Sequence, residues 1–302
     1  MICYEKYHGT GNDFVIVDAD ADVPDWAAFA RAHCDRETGV GADDPDRTTG
    51  ADGVLVLDLD DAPIPPEVEM RLYQPDGGTA AMCGNGARCV ARWVGDRTDA
   101  DEVAIHTPAG TRRAELRGDE VAVEMGLPSF DPEDVPLSGD EPLVEETVEG
   151  VEVTALTTGV PHAVAFVDDV SEQGSDDSRN PSDGSRGVDE VNLDALAAPI
   201  RQADAFPEGA NVNVAAERED GNGFDQRTFE RGVEGETDAC GTGAVAIAVA
   251  ARRIGRTDDE TVVVSPPGGD LSVRVPRQGP AVLRGPVERE FAGELPAAPT
   301  QS

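Results

Sequence analysis

Two short stretches, Met82-Cys83-Gly84-Asn85-Gly86-Ala87-Arg88-Cys89 and Asp238-Ala239-Cys240-Gly241-Thr242-Gly243-Ala244, share the pattern Cys-Gly-x-Gly. Each runs directly into helix-like sequence, Ala87 to Val94 after the first and Ala244 to Ile254 after the second. A cysteine at that point sits where backbone N–H groups lack intrahelical acceptors and the helix dipole favours an anion. The thiolate is therefore expected over the thiol, and the glycines let other backbone approach closely.

The two stretches lie roughly half the chain apart, and their flanks match. Arg71-Leu72-Tyr73 precedes the first cysteine and Arg227-Thr228-Phe229 the second, at nearly the same distance. After the helices, VAIHTPAG (103–110) parallels TVVVSPPG (261–268). Near the start of each half, Gly9-Thr10-Gly11-Asn12 then DFVIVD parallels Gly159-Val160-Pro161-His162 then AVAFVD. A duplication explains all of this: two homologous halves, each presenting one helix-capping cysteine to a shared cleft.

The 302 residues suffice for two domains with their own cores, and 39% hydrophobic residues with few aromatics fits a globular chain. The net charge is −37 and Lys6 is the only lysine. Acids spread along the whole chain suit concentrated salt, where self-repulsion is screened, and the expectation is a protein adapted to a saline cytoplasm. The competing account is an acidic interaction surface, but the acids are not gathered in a tail. Such a surface argues against nucleic-acid partners, which need basic patches. No apolar run approaches the roughly 18 residues of a spanning helix, and the N-terminal sequence lacks a signal-peptide apolar region. Five cysteines at irregular spacing fit a reduced, cytoplasmic protein with no membrane partner.

Taken in order, the chain opens with a strand, a Gly-Thr-Gly-Asn-Asp turn and a second strand, Phe14 to Val17. Asn12 can project into a cleft or close the turn on local backbone. Pro24 to Cys34 has helical spacing with Trp26, Phe29, Ala30 and His33 on one face, which makes His33 and Cys34 packing residues. Thr38 to Asp43 is nearly repeated by Thr48 to Gly53, so 38–53 reads as a short loop insertion leading into a strand at Val54 to Leu57. Val68 to Tyr73 alternates as a strand into a turn at Pro75 to Gly78, and strands at Ala114 to Leu116 and Val121 to Met125 complete the half. The Pro- and acid-rich stretch from Pro128 to Pro142 is a linker or crossing loop. Ser171 to Glu190 is a solvated loop, Asn192 to Gln202 a helix, and Glu208 to Asn213 and Gln226 to Glu230 strands. After Gly285-Pro286 comes a short tail, with disorder expected beyond Leu295. The expected domains are 1–127, joined by the tail 286–302 and carrying Cys83, and 128–285, carrying Cys240.

Two facing thiols suit two-base proton transfer, in which a thiolate removes a proton from carbon and the opposite thiol returns one to the other face. The outcome is inversion of a stereocentre without a cofactor. A free thiol has a pKa of about 8.5, so only about 3% is ionised at pH 7 and a lowered pKa makes a usable base. The second thiol must stay protonated, which repulsion between two thiolates encourages. A zinc site is disfavoured because Cys83 and Cys89 lack the usual spacing and no Cys-x-x-Cys occurs. A Cys83–Cys240 disulfide would be an inactive oxidised form. A phosphate loop lacks its lysine. Cys3 and Cys89 are assigned to packing, and His8 and His106 to structural roles.

The stretches HGTGNDFVIVD (8–18), DGGTAAMCGNGARC (76–89), GVPHAVAFVDD (159–169), EGANV (208–212), ERG (230–232) and ETDACGTGA (236–244) resemble the diaminopimelate epimerase family over nearly the full chain. The related proline racemases also pair two cysteines, but carry His where Asn85 stands. The resemblance implies an α/β (α+β) fold of two pseudo-symmetric halves, each a barrel-like, mostly antiparallel sheet around a central helix. The active site would lie in the cleft between them. It implies interconversion of LL- and meso-diaminopimelate in lysine biosynthesis, by a homodimer that needs no metal or pyridoxal phosphate. By position, Cys83 and Cys240 match the catalytic pair, and His162 and Glu230 the residues that tune them. Gly84, Asn85, Gly241 and Thr242 match the groups holding the reacting carboxylate. Asn12, Asn211, Glu230 and Arg231 match other substrate contacts.

Three positions depart from the family pattern. Gln74 stands where Asn is usual, with the same hydrogen bonds at longer reach. Val160 replaces a common Asn and makes none of its bonds, and Gly53 stands where the loop often ends in a substrate-lining Gln. These departures leave open racemisation of another amino acid. A non-catalytic carboxylate-binding protein on the same scaffold is the remaining alternative.

Overall fold

The computed structural model describes residues 1–167 and 187–297. Most of the expected loop 171–190 and the last residues of the tail, 298–302, lie outside the described residues. The chain divides into two compact units, Met1–Glu124 with Arg284–Ser302, and Met125–Leu283.

In the first unit β1 (Ile2–Gly9) pairs antiparallel with β2 (Asn12–Asp18), and β2 runs parallel to β3 (Gly53–Asp60) after helix α1 (Trp26–His33) and a long loop. β4 (Glu67–Tyr73) pairs antiparallel with β3 and with the short β5 (Thr79–Ala80). Helix α2 (Gly84–Thr98) then leads to β6 (Glu102–Thr107), parallel to β4, and on through the antiparallel strands β7 (Gly110–Arg117) and β8 (Glu120–Gly126). α2 packs on β1, β2, β3, β4, β6 and β7, which wrap it as a central rod. Strand alternation sorts the side chains: Val15, Val17, Val54 and Val56 join Phe29 and Ala30 of α1, while Leu55 points toward Gly86 of α2. Buried on both faces, β2 and β3 lose the alternating pattern of a half-exposed strand.

The second unit repeats the plan. After β9 (Glu146–Val148), β10 (Val151–Thr157) pairs antiparallel with β11 (Pro161–Phe166), and β11 runs parallel to β12 (Asn211–Glu217) after helix α3 (Leu193–Arg201). β13 (Phe224–Glu230) pairs antiparallel with β12 and β14 (Gly235–Thr237). Helix α4 (Gly241–Arg253) leads to β15 (Thr261–Ser265), parallel to β13, then to β16 (Leu271–Arg274) and β17 (Ala281–Pro286). α4 is surrounded by β10, β11, β12, β13, β15 and β16 and is buried continuously from Gly243 to Ala251, as a helix apolar on every side must be.

The tail corrects the sequence reading. β18 (Glu288–Leu295) pairs antiparallel with β1 from Ile2↔Leu295 to His8↔Glu288. Its side chains stay half exposed, so it has no apolar alternation to betray it, and only the long-range pairing makes it a strand. The 38–53 stretch is also more ordered than a surface insertion. Val40 N–H donates to His33 O, Gly50 N–H to Val40 O and Ala51 N–H to Cys34 O, burying Val40 and Ala51. Gly50 has φ +70°, and a Cβ there would lie 2.5 Å from the carbonyls of Cys34 and Asp35, so glycine is required. Cys34, Cys89 and His33 are packing residues as expected, His33 lying 4.3 Å from the Phe29 ring. Cys3 is not: it falls on the outward side of β1 and is exposed. His8 and His106 face Glu288 and Glu67 on the surface.

The chain's only lysine is fully buried. Lys6 Nζ lies 2.7 Å from Asp13 Oδ2 and donates to Thr48 O at 2.8 Å. Arg36 grips the same carboxylate with both terminal nitrogens, at 2.9 and 3.0 Å, and also bonds Asp52. Burial pushes the Asp13 carboxyl up, but the hydrogen bonds and charges of Arg36 and Lys6 outweigh it and hold it below the usual range. Its stabilisation is complete above the unfolded carboxylate pKa of about 3.9 and is lost as pH falls through the lower folded value. Lys6→Met, which removes one buried partner, is expected to cost about 3 kcal/mol in urea unfolding; no measurable loss would show that the cation does not hold this region.

Candidate active site

Both motif cysteines are helix N-caps. Cys83, with φ −141° and ψ 119°, precedes α2 and its sulfur accepts from Gly86 N–H at 3.4 Å. Cys240, with φ −126° and ψ 99°, precedes α4 and accepts from Gly243 N–H at 3.3 Å. The sulfur thus takes the place of the Ser, Thr or Asp oxygen that usually caps a helix. The second glycine is required by its surroundings only in the second motif: at Gly86 a Cβ would meet nothing nearer than Cys83 Cβ, at 3.4 Å. A Cβ on Gly243 would lie 2.3 Å from Asn213 Oδ1, 2.8 Å from Gln226 Nε2 and 3.2 Å from Cys240 Sγ. Glycine is needed there because side chains press on the helix start, whereas the sequence suggested that backbone did.

The expectation of a favoured thiolate at both caps fails at Cys240. Burial and the neighbouring Glu230 carboxylate, which also hydrogen-bonds the sulfur, raise that thiol well above its usual pKa. The hydrogen bonds from Thr242 and Gly243 act in the opposite sense and are outweighed. Desolvation of a charged sulfur is the larger effect at this helix end. Cys240 therefore carries its proton at neutral pH. Thr242 Oγ1 lies 3.4 Å from Sγ.

A polar chain stands behind Cys240. Gln226 Nε2 donates to Cys240 O at 3.1 Å and to Thr228 Oγ1 at 2.8 Å. Thr228 donates to Asn213 Oδ1 at 3.0 Å, and Asn213 Nδ2 meets His162 Nδ1 at 3.0 Å. With its carboxamide oxygen held by Thr228, Asn213 donates to Nδ1, so the proton of the neutral ring sits on Nε2. Burial and the nearby Arg231 charge lower the His162 pKa to about 3, keeping the ring neutral. Nε2–H is buried without a partner among the described residues. Asn211 Oδ1 accepts from Arg231 N–H at 2.8 Å, and the Arg231 guanidinium reaches the carbonyls of Glu208 and Gly209.

The first unit has its own network. Asn12 does not close a local turn: its Nδ2 donates to Asp52 Oδ2 at 3.0 Å and its Oδ1 accepts from Asn85 Nδ2 at 2.6 Å. Arg88 is fully buried, donating to Thr10 Oγ1 at 2.9 Å while Nε and Nη1 lack partners among the described residues. Burial lowers its pKa to about 10, with the sulfurs of Cys89 and Cys83 pulling back, so it remains a cation near the first motif. Gln74 is not brought into this network; its backbone closes the turn to Gly78. Val160 is half-buried in the turn before β11. A side chain at Gly53 would strike Leu72 and the Tyr73 carbonyl, at 2.7 and 2.9 Å.

The sequence reading therefore missed Asp13, Arg36, Asp52, Arg88, Asn213, Gln226 and Thr228. A signal existed for three of them. Asn211 and Asn213, like Gln226 and Thr228, stand two apart in strands, and polar residues repeating on one face of a buried strand need partners.

The fold is that of the racemase and isomerase structures to which the chain is similar. A probable proline racemase from Agrobacterium radiobacter K84 matches with a TM-score of 0.64 at 17% identity, covering 99% of this chain and 94% of that one. A hydroxyproline epimerase from Agrobacterium vitis matches with 0.61 at 18% identity, over 97% and 91%. At such identity the likeness speaks for the fold of two pseudo-symmetric halves alone. The sequence comparisons go further. The diaminopimelate epimerase family model matches residues 4–130 and 154–290. Proteins named diaminopimelate epimerase from Methanocella arvoryzae and Methanothrix thermoacetophila are each 38% identical, over 97% of this chain and 96% and 98% of theirs. One from Xanthomonas axonopodis is 36% identical over 96% and 95%. The chain belongs to the diaminopimelate epimerase family, and so is an isomerase.

The His162 tautomer is open to test. Asn213→Asp places a carboxylate against Nδ1, which moves the ring proton to Nδ1 and raises the pKa from about 3 toward the ordinary value of about 6.5. Side-chain ¹⁵N shifts followed against pH should show a Nε2–H ring in the wild type and a titrating, Nδ1-protonated ring in the variant. An Nδ1–H signal in the wild type would overturn the assignment.

Proposed function

We propose that this protein interconverts LL- and meso-diaminopimelate by proton transfer between two thiols at one α-carbon. The observation that carries the reading is the pair of helix-capping cysteines in a chain that matches the family along nearly its whole length. The Cys83 thiolate removes the α-proton, and the Cys240 thiol delivers its proton to the opposite face. Cys83 ends as the thiol and Cys240 as the thiolate, and exchange with water restores the starting state. Negative charge that develops on the carboxylate as the proton leaves is held by backbone N–H groups of Gly84, Asn85, Gly241 and Thr242 at the two helix starts. The raised pKa of Cys240 supports this starting polarity, since burial and then the Glu230 carboxylate keep the proton on that sulfur. The neutral Nε2–H of His162 is assigned to donating to a charged sulfur or to substrate. Asn12, Gln74, Asn211, Glu230 and Arg231 are assigned to holding the substrate, with Arg231 supplying charge for a carboxylate.

The reaction so drawn needs only the chain's own residues. We further place the protein in a saline cytoplasm, in lysine biosynthesis and as a homodimer. The salt reading is supported by the net charge of −37 together with burial of the only lysine, which leaves the surface without that residue. The location accords with the described residues, which include no helix long and apolar enough to cross a membrane. The dimer and the pathway rest on the family resemblance.

The test follows stereochemistry in high salt under reducing conditions. Wild-type protein should convert LL-diaminopimelate to the meso form, and Cys83→Ala or Cys240→Ala should each lower turnover by on the order of 10²–10⁴-fold. Near-normal inversion by either variant would remove the two-base scheme. A panel of other amino acids measured alongside reads the effect of Val160 and Gln74: faster inversion of another member would change the substrate and keep the chemistry.

A further inference from the structure

The hydrogen bonds that run from Asp52 to Asn85 have a direction, and it is set at the Asp52 end. The carboxylate of Asp52 is salt-bridged by Arg36 and offers only acceptors. Its Oδ2 accepts from Asp13 N–H at 3.1 Å and from Asn12 Nδ2 at 3.0 Å. The Asn12 amide cannot turn over without setting its own oxygen against that carboxylate. Its oxygen therefore faces Asn85, whose Nδ2 is drawn to it at 2.6 Å. Asn85 is 1% exposed, and its Oδ1 is left buried without a partner among the described residues.

That oxygen stands in unusual company. Asn85 belongs to the first turn of α2, directly after the Cys83 cap, where the free backbone groups are N–H donors. Those donors suit a carboxylate; an acceptor among them suits a positively charged donor attached next to it. Carboxylate and ammonium on one carbon are what an amino acid presents. Leaving a buried carbonyl oxygen unpaired is costly, so the arrangement is settled when the site holds such a donor.

We propose that Asp52 is a positioning residue that fixes the polarity of the Asn12 and Asn85 amides, so that Asn85 offers its oxygen to the α-ammonium of the substrate. Asp52 itself does not touch the substrate. Arg36, held by Asp13 and ultimately by the buried Lys6, keeps the carboxylate in place. The inference rests on the reading of the chain as an amino-acid epimerase and adds a basis for its preference for amino over deaminated acids.

The test compares diaminopimelate with pimelate, which has the same carbon skeleton and both carboxylates but no amino group. Asp52→Ala frees the Asn12 amide to turn over, and with it Asn85. The KM for diaminopimelate should rise about tenfold or more, the size of one lost hydrogen bond to a charged group, while the inhibition constant of pimelate moves less than about twofold. Equal weakening of both ligands would mean that Asp52 serves only the fold, and no change in either would mean that it directs nothing; both results overturn the proposal. Should Asp52→Ala fail to fold, Asp52→Asn decides, because it keeps the size of the side chain but can donate to the Asn12 oxygen, and so lets the Asn12 amide turn over. It should show the same selective loss, and uniform weakening would again overturn the proposal. Wild-type turnover is recorded in parallel. Its absence would count against the functional reading, whereas a normal wild type with an unselective variant counts against the relay.

Discussion

A sulfur atom accepting a hydrogen bond from the third residue beyond it, at the start of a buried helix, is the interaction on which the rest of this protein depends. It occurs twice, at Cys83 and Cys240, with nearly the same length and the same extended cap geometry. To place a thiol there, each helix is threaded through the middle of its own ring of strands, which surround it in both units. The duplicated order of antiparallel and parallel pairings does this in both units. Helix burial, strand order and cysteine position are consequences of one another, which is why the motif glycines tolerate no substitution where Gly243 meets Asn213 and Gln226.

The two caps differ in what lies behind them. In the second unit burial and a carboxylate keep the proton on the Cys240 sulfur, and a chain of neutral amides and hydroxyls sets the His162 tautomer. In the first, cations gather: the buried Lys6 at Asp13, the exposed Arg36 at Asp13 and Asp52, and the buried Arg88 near the motif itself. Two identical helix-capping thiols thereby sit in different electrostatic surroundings.

Much of the fold was legible because duplication is visible at the level of motifs. Once Arg71-Leu72-Tyr73 aligns with Arg227-Thr228-Phe229, each half predicts the other's strands and central helix. The family resemblance supplied the roles proposed for His162, Glu230 and Arg231, which spacing alone could not. What stayed hidden depends on long-range contact. β18 carries no alternating pattern, and the 38–53 loop looked like an insertion because its burial comes from backbone bonds to residues 33 and 34. Lys6 was conspicuous as the only lysine, but its partners are distant in sequence. The thiolate at Cys240 was misjudged because the helix end is visible in a sequence and the desolvation around it is not.

The central claim is that a proton leaves one face of an α-carbon and a different proton arrives at the other. The direct measurement is to incubate the reduced protein with LL-diaminopimelate in deuterated, high-salt buffer and to analyse the earliest meso product. The account predicts one solvent deuterium at the inverted carbon and, at early times, little in the unreacted LL-isomer, since the returning proton comes from the opposite thiol. Inversion with the original hydrogen retained, or a folded protein that exchanges no α-hydrogen at all, would contradict it.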